Sequence, residues 1–380
     1  MKKITAFLKK EIVLSVAWVL AVVSAFFVTP DKVYLDYIDF RTLALLFCLM
    51  SVMAGLTKLQ VFQYIAEVLL NKVKSSGQLV IILTMLCFFF SMFITNDVAL
   101  IVFVPFTFTV LKLLGDNMWQ KLLIPVVVMQ TIAANLGSMM TPIGNPQNMY
   151  LFNLGNYELM DFSLLMLPYT VLAFIILVVW GIVSGKKAKE KIQVSFENRT
   201  SLSKKGLKLS IYMVLFILCL LVVAHKLEYY WVFAIVFVVV AIMDTKVLFR
   251  VDYTLLLTFV GFFIFTGNIG RIPAIGNLLQ SLVNGQPMLT TLVACQGMSN
   301  VPAALLLSGF CQDLNTLIVG VNLGGLGTLI ASMASLISYK YVAREDGERK
   351  GQYFKFFTVA NICFLIALVA LYCMKTMIFG

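Results

Sequence analysis

The sequence predicts an all-α polytopic membrane protein with two inverted repeats, about nine transmembrane crossings, two opposed re-entrant hairpins and two broken helices. The first observation behind this fold is composition. The 380 residues are 61% hydrophobic and 12% charged, with a mean hydropathy of +0.96, whereas soluble domains carry about 25% charged residues. Apolar segments of about 17–25 residues match the thickness of a bilayer and must be helical, because lipid cannot satisfy exposed backbone groups.

The second observation is a polar pattern that occurs twice in apolar sequence. Thr95-Asn96 is repeated as Ser299-Asn300, and each pair is followed by an Asn-Leu-Gly tripeptide, at 135–137 and at 322–324. Uncompensated polar residues at membrane depth are costly and usually functional. A duplicated break of this kind is typical of secondary transporters with inverted repeats.

The third observation is the location of the basic residues, which cluster in a few loops as expected for cytoplasmic segments. This places the N-terminus in the cytoplasm and the C-terminus outside, in a multi-pass protein of the bilayer. The net charge of +11 is explained by these loops, so we expect no nucleic-acid partner. The first 30 residues resemble a signal peptide, but the many spans that follow favour an uncleaved first helix.

The first repeat is predicted within residues 1–184. Asp97 on a straight span would cost about 3 kcal/mol, so a hairpin that turns at residues 95–97 is favoured. In chain order the elements are a span at 12–29, a span at 42–57, an interfacial helix at 58–74, a cytoplasmic-side hairpin at 79–113, a broken helix at 121–157 and a span at 162–184.

A polar cytoplasmic linker at 185–208 separates the second repeat, predicted within residues 209–380. Its elements are spans at 209–225, 229–245 and 253–269, an interfacial helix at 272–284, an outer-side hairpin at 288–310, a broken helix at 314–340 and a final span at 352–373. Gly55 corresponds to Gly267, Thr95 to Ser299 and Asn135 to Asn322. Because the first repeat starts outside and the second inside, the two hairpin tips are expected to meet near the midplane.

The chemistry of the tips follows from the residues at the breaks. A broken helix leaves N–H groups suited to anions and carbonyls suited to cations, and hydroxyl and amide oxygens suit Na⁺. The predicted coupling-ion site, for Na⁺ or H⁺, comprises Thr95, Asn96, Asp97, Gly144, Asn145, Ser299, Asn300, Gly325 and Thr328. The predicted substrate site comprises Asn96, Asn300, Ser299, Thr141 and Asn148.

Other interpretations of these residues stay open from the sequence. Residues 137–148 could be a surface loop, and Asp97 could cap the helix that follows the turn as well as bind a cation. The lone His225 lies at the end of a span and is expected to be interfacial. The sequence has no P-loop, nucleophile elbow or His/Cys metal spacing, so we expect no enzyme, no transition-metal site and no cofactor.

Three segments, 93–100, 137–148 and 299–302, resemble the ion-transporter superfamily, which joins arsenite permeases, sodium–proton antiporters and divalent anion–sodium symporters. Within it, the chain is most similar to short bacterial inner-membrane anion permeases with a citrate-transporter-like domain. The resemblance implies an elevator-type transporter, commonly a homodimer. In the dicarboxylate members Ser-Asn-Thr tips bind sodium and substrate carboxylates, whereas here the third positions are Asp97 and Val301.

The function expected from residues and resemblance together is cation-coupled transport of a small anion, most simply a di- or tricarboxylate, held between the two tips. Asn96 and Asn300 would contact the substrate, and Asp97, Thr95 and Asn145 would bind the coupling ion. The alternatives are a Na⁺/H⁺ antiporter centred on Asp97, an arsenite or metalloid efflux permease, and a membrane scaffold that transports nothing.

Overall fold

A computed structural model describes residues 11–187, 192 and 205–379. Within these ranges the chain forms seventeen α-helices and no β-strand, which confirms the predicted all-α class. The helices are α1 Ile12–Ala25, α2 Phe40–Lys58, α3 Val61–Leu70, α4 Ser76–Ile94, α5 Asn96–Leu113, α6 Asp116–Ser138, α7 Pro146–Leu154, α8 Leu159–Lys187, α9 Gly206–Val223, α10 Tyr229–Leu248, α11 Tyr253–Gly270, α12 Pro273–Gly285, α13 Pro287–Met298, α14 Asn300–Leu307, α15 Leu314–Gly324, α16 Met333–Glu345 and α17 Lys350–Phe379.

Nine helices in the described part of the chain are long and apolar enough to cross a membrane, so the protein is polytopic. These nine are not the nine predicted crossings. They include both arms of the first hairpin, α4 and α5, with 19 and 18 residues. They do not include α1, which has only 14 residues because the chain turns after Ala25. The arms of the second hairpin, α13 and α14, are also short, with 12 and 8 residues.

The order of helices repeats along the chain, as the sequence predicts. A long helix (α2, α11) leads to a short helix (α3, α12), two arms that meet at a tight turn (α4–α5, α13–α14), a broken helix (α6–α7, α15–α16) and a long closing helix (α8, α17). The helix before each repeat packs against the other repeat, α1 on α11 and α10 on α2. The two repeats therefore interlock.

Matched local geometry supports the correspondence of the repeats. A Cβ on Gly55 would meet the ring of Tyr212 at 2.2 Å, and a Cβ on Gly267 would meet the ring of Tyr37 at 2.4 Å. Both glycines thus allow a tyrosine ring to lie on the helix backbone. Glycines also allow each hairpin to pack closely on its own broken helix, where a Cβ on Gly137 would meet the Phe88 carbonyl at 2.1 Å and a Cβ on Gly324 would meet the Cys295 sulfur at 2.7 Å.

Contacts between helix ends agree with the predicted sides of the membrane. On the side assigned to the cytoplasm, Lys58 pairs with Asp244 and Lys112 with Glu345. On the opposite side, the His225 ring packs on Phe152 at a span end, and other links join Arg271 to Asp31, Asn153 to Thr42 and Tyr157 to Asn315. Residues 1–10 lie outside the described residues, as do residues 188–191 and 193–204 of the predicted linker 185–208.

Candidate functional site

Each hairpin turns at a single residue with an unusual backbone conformation. Thr95 has φ 68° and ψ 148°, and Ser299 has φ 76° and ψ 158°. This region of backbone dihedral angles is occupied almost only by glycine, and it costs any other residue about 1–3 kcal/mol. Because the same strained conformation occurs at corresponding polar residues of both hairpins, it indicates a functional constraint and not a local irregularity of one turn. It allows α5 and α14 to begin directly at Asn96 and Asn300.

Each broken helix is interrupted by a short non-helical segment within apolar sequence. In the first repeat, residues 139–145 separate α6 from α7 and include a short 3₁₀ turn at Pro142–Gly144. Pro146 then starts α7 at a position where its missing N–H does no harm. In the second repeat, residues 325–332 separate α15 from α16, and Gly327 has φ 104°. Residues 142–150 are almost completely buried, so interpreting 137–148 as a surface loop is wrong.

The asparagine before the first break reaches into the second break. Asn135 accepts hydrogen bonds through Oδ1 from Asn96 at 3.1 Å and from Ser332 at 3.0 Å. Its Nδ2 donates to the Ser335 hydroxyl at 3.4 Å. The side chain is 4% exposed. Asn135 therefore joins the first hairpin tip to the far end of the second break.

The asparagine before the second break makes the reciprocal contacts. Asn322 Nδ2 donates to Asn148 Oδ1 at 2.7 Å, and its Oδ1 accepts from Asn145 Nδ2 at 3.4 Å. Asn145 and Asn148 follow Asn135 by ten and thirteen residues, just as Ser332 and Ser335 follow Asn322. Each asparagine thus bonds the two equivalent positions of the opposite repeat, and the two breaks cross as a symmetric pair.

The second hairpin tip is bound to the second break through backbone groups. The Asn300 N–H donates to the Ala331 carbonyl at 3.0 Å, and the Ser299 hydroxyl lies 3.4 Å from the same oxygen. Because Ala331 precedes Ser332, both hairpin tips are connected through residues 331 and 332. A Cβ on Gly325 would lie 3.0 Å from Asn300 Nδ2, so the glycine leaves room for this amide.

Three of the predicted ligands, Thr141, Asn148 and Gly144, make contacts within the first break. The Thr141 hydroxyl donates to the Met92 carbonyl near the end of α4. Asn148 donates to the carbonyls of Ser138 and Thr141 and accepts from Asn322, so its amide is fully engaged. Gly144 lies where a Cβ would approach the Ser138 carbonyl to 2.1 Å. These residues shape the first break.

Gln296 is a site residue that sequence reasoning missed. Its Nε2 donates to the carbonyls of Gly324 and Leu326 at 3.0 and 2.9 Å, and its Oε1 accepts from the Thr328 N–H at 2.9 Å. One side chain therefore satisfies three backbone groups of the second break. Ser332 and Ser335 were missed as well, although their spacing from Asn322 matches that of Asn145 and Asn148 from Asn135 and could have revealed them.

Asp97 lies in the first turn of α5, where a negative charge is favoured by the helix dipole. Thr95 is the capping residue of this helix, and the Asp97 N–H donates to Asn96 Oδ1 at 2.9 Å. The interpretation of Asp97 as the helix cap is therefore wrong. Its Oδ1 is buried and has no hydrogen-bond partner among the residues that the structure describes, and the same is true of Asn145 Oδ1. Unpartnered buried oxygens are costly unless water or a cation satisfies them.

The structure therefore brings together most of the predicted site. The side chains form two hydrogen-bonded groups, one of Asn96, Asn135, Ser332 and Ser335 and one of Asn145, Asn148 and Asn322. The second tip joins the first group through the Ala331 backbone. Asp97 Oδ1 and Asn145 Oδ1 are left with free acceptor capacity. Together these side chains offer amide donors to an anion and hard oxygens to a cation.

Comparison with known proteins identifies the class of this fold and site. Residues 4–316 match the family model described as citrate transporter, and the chain belongs to this family. The protein is thus a membrane transporter and not an enzyme. The chain is 32% identical over 343 residues to an uncharacterized transporter of Methanocaldococcus jannaschii, covering 90% of this chain and 92% of that protein.

Two further relatives come from bacteria. The inner membrane protein YbiR of Escherichia coli is 30% identical over 311 residues, covering 80% of both chains. The magnetosome protein MamN of Paramagnetospirillum magneticum is 30% identical over 142 residues, which cover 37% of this chain and 31% of that protein. The similarity to the first two relatives therefore extends through both repeats.

Proposed function

We propose that the protein is a cation-coupled secondary transporter of a small anion, with a di- or tricarboxylate held between the two hairpin tips. The observation that carries this proposal is the convergence of both tips on the crossed breaks. Asn96 and Asn300 begin the helices α5 and α14 at this point. Helix N-termini and amide donors are suited to carboxylates, and the family's description names citrate.

The coupling cation, Na⁺ or H⁺, is proposed to bind at the first tip. Asp97 supplies a carboxylate in the first turn of α5, Thr95 a hydroxyl, and Asn145 an amide oxygen without a partner. Ser299, Asn300, Gly325 and Thr328 form the corresponding region of the second repeat, where Val301 replaces the carboxylate. We therefore expect one dominant cation site, on the side of Asp97.

The transport cycle is proposed to be of the elevator type, in a homodimer of the bacterial cytoplasmic membrane. The hairpins and broken helices are linked by hydrogen bonds and could move as a body past the remaining helices. One relative is named an inner membrane protein. We also propose that the N-terminus lies in the cytoplasm and the C-terminus outside.

A second function, Na⁺/H⁺ antiport centred on Asp97, is favoured by one observation. The unpartnered carboxylate oxygen belongs to the first tip, whereas the second tip has an apolar Val301 in the same position. A site this asymmetric would suit exchange of cations without an organic substrate. Arsenite or metalloid efflux is the third alternative, since neutral hydroxides also bind amides and hydroxyls.

The experiment that separates these functions is thermal unfolding of the purified protein with citrate, succinate, sulfate or arsenite, each with Na⁺ or with choline and across pH. A ligand of the folded state raises stability by mass action, by about 2.7 kcal/mol at 100 times its Kd. Stabilisation by a carboxylate that increases with Na⁺ or H⁺ supports the symporter. Stabilisation by Na⁺ or pH alone, with no response to anions, supports the antiporter and contradicts carboxylate transport.

A further inference from the structure

A cavity of about 270 Å³ lies between the α2–α3 junction and α5. It is lined by Thr57, Gln60, Phe62, Gln63, Ile101 and Val102. Thr57, Gln60 and Gln63 come from the end of α2 and the start of α3, and the other wall is α5, the arm that carries Asp97. The cavity therefore separates the first hairpin from the long helix that precedes it.

The cavity lies on the face of α5 that carries Asp97. Ile101 follows Asp97 by four residues, and residues four apart in a helix are neighbours on one face, with Cβ atoms about 5–6 Å apart. Ile101 is 46% exposed, whereas the adjacent Leu100 is completely buried. The open face of α5 thus begins one turn from the carboxylate and continues into the cavity.

Two buried oxygens, one in the cavity wall and one a helical turn beyond it, lack a hydrogen-bond partner among the described residues. One is the Thr57 hydroxyl in the cavity wall, and the other is Asp97 Oδ1 one helical turn away. Buried polar groups are normally hydrogen-bonded. A cavity of this volume is large enough for several waters, and it ends at Ile101, one helical turn from Asp97.

The polar side of the cavity is a line of oriented amides. Lys205 Nζ lies 3.5 Å from Gln60 Oε1, Gln60 Nε2 lies 3.4 Å from Gln63 Oε1, and Gln63 Nε2 donates to Glu67 Oε1 at 3.0 Å. Glu67 is 3% exposed. The charged groups around the cavity are thus Lys205 at the rim, Lys58 paired with Asp244 beside it, Glu67 behind the amides, and Asp97 with its acidic neighbour Asp252. Glu67 behind one wall and Asp97 one turn beyond the other are carboxylates, and their charge favours a cation over an anion between them.

We propose that this cavity is the hydrated route by which the coupling cation, as a proton or hydrated Na⁺, travels between the cytoplasm and Asp97. The inference rests on the proposed function, because it takes Asp97 as the coupling site. Thr57 and Gln63 provide the oxygens that the ion meets on one wall, and Ile101 and Val102 form the apolar wall on the hairpin. The route opens where Lys58 and Lys205 lie, on the side that the basic loops assign to the cytoplasm.

The test is the rate at which a membrane-impermeant cationic methanethiosulfonate reagent labels Thr57→Cys and Ile101→Cys in membrane vesicles. Cys363 and Cys373 are exposed and are first replaced by Ser, and the chain with these two replacements is the blank. Leu100→Cys is the matched control, since it lies on the same helix at the same depth but is buried. If Thr57→Cys does not fold, Val102→Cys takes its place on the opposite wall.

We expect labelling of both cavity positions to be at least tenfold faster than that of Leu100→Cys, and only from the cytoplasmic side. Na⁺, but not choline, should slow labelling if the ion is Na⁺, and this effect should be lost in Asp97→Asn. If the ion is the proton, the pH dependence of labelling should change between the Asp97 and Asp97→Asn backgrounds, beyond the dependence that the introduced thiol itself contributes in both. Labelling no faster than the control overturns the route. So does rapid labelling that Asp97→Asn leaves unchanged in its response to cations.

Failure of this inference can be told apart from failure of the proposed function. Labelling measures hydration and does not require transport. Coupled uptake that depends on Asp97, together with unlabelled cavity positions, would refute the route and keep the transporter. The opposite result is labelled cavity positions whose response to cations depends on Asp97, in a protein that no anion stabilises. That result would support the route and favour the antiporter over the symporter.

Discussion

At the scale of single residues, Asp97 is the first test of coupling. Replacing it with Asn removes the charge but retains an oxygen at Oδ1, the atom that has no hydrogen-bond partner in the described part of the chain. An uncharged amide is also less costly at membrane depth. We therefore expect Asp97→Asn to lower cation-driven uptake in proteoliposomes by about tenfold or more, equivalent to about 1.4 kcal/mol, with an unchanged unfolding temperature. Asp116→Asn, an exposed carboxylate at the start of α6, is the control and should retain full uptake.

The turn at Thr95 allows a second residue-scale prediction, on stability. With φ 68° and ψ 148°, a residue with a Cβ is strained by about 1–3 kcal/mol, and glycine is not. Thr95→Gly should therefore unfold at higher temperature than Thr95→Ala, with a difference of about 1 kcal/mol. Thr358 lies within helix α17, where glycine costs about 1 kcal/mol relative to alanine, so the order should reverse there. The same order at both positions would mean that Thr95 is not strained.

At the scale of helices, the contact between α4 and α6 depends on Gly137. A Cβ at this position would lie 2.1 Å from the Phe88 carbonyl oxygen, a backbone atom that cannot rotate away. Gly137→Ala should separate the two helices and lower stability by about 1–3 kcal/mol, the usual cost of overpacking. Gly297→Ala, near the end of α13 with open space around it, should be neutral or slightly stabilising. Equal unfolding temperatures for the two variants would contradict the close approach.

The crossed breaks can be tested through Asn322. Its side chain makes hydrogen bonds with Asn148, Asn145 and the Ile318 carbonyl. Interhelical hydrogen bonds in membrane proteins average about 0.6 kcal/mol, and only the bonds to Asn148 and Asn145 join different helices, so Asn322→Ala should lose about 1 kcal/mol of unfolding free energy. Asn361→Ala is the control, because Asn361 is equally buried but donates to the Phe357 carbonyl of its own helix. A loss at Asn361 as large as at Asn322 would show that burial, and not the crossing, determines the cost.

The repeat explains how much of the helical layout could be predicted from the sequence. The pairs Gly55–Gly267, Thr95–Ser299 and Asn135–Asn322 are local patterns in apolar sequence, and each proved to have matched geometry. The roles of Gln296, Thr141 and Asn148 could not be predicted, because they depend on which backbone carbonyl lies opposite each side chain. Periodicity and composition contain no information about those distances.

At the scale of the whole molecule, the arrangement of helix ends predicts the topology. Contacts between helix ends join residues assigned to the same side, as in Lys58–Asp244 and Lys112–Glu345 on one side and Arg271–Asp31 on the other. These pairs fix which ends share a side but do not identify the cytoplasm. That assignment comes from the basic loops, whose bias is set by membrane insertion and not by folding.

Reporter fusions at the C-terminus decide the assignment. Helix α17 starts at Lys350, next to the basic residues 340–350, and ends at Phe379. We expect alkaline phosphatase fused after Gly380 to be active and green fluorescent protein fused there to be dark, because the C-terminus should lie outside the cytoplasm. Fusions after Lys187, at the end of α8, are the control and should give the opposite pair of signals. Inverted signals at both positions would retain every contact described above and reverse the molecule in the membrane, so the Asp97 cavity would then open to the outside.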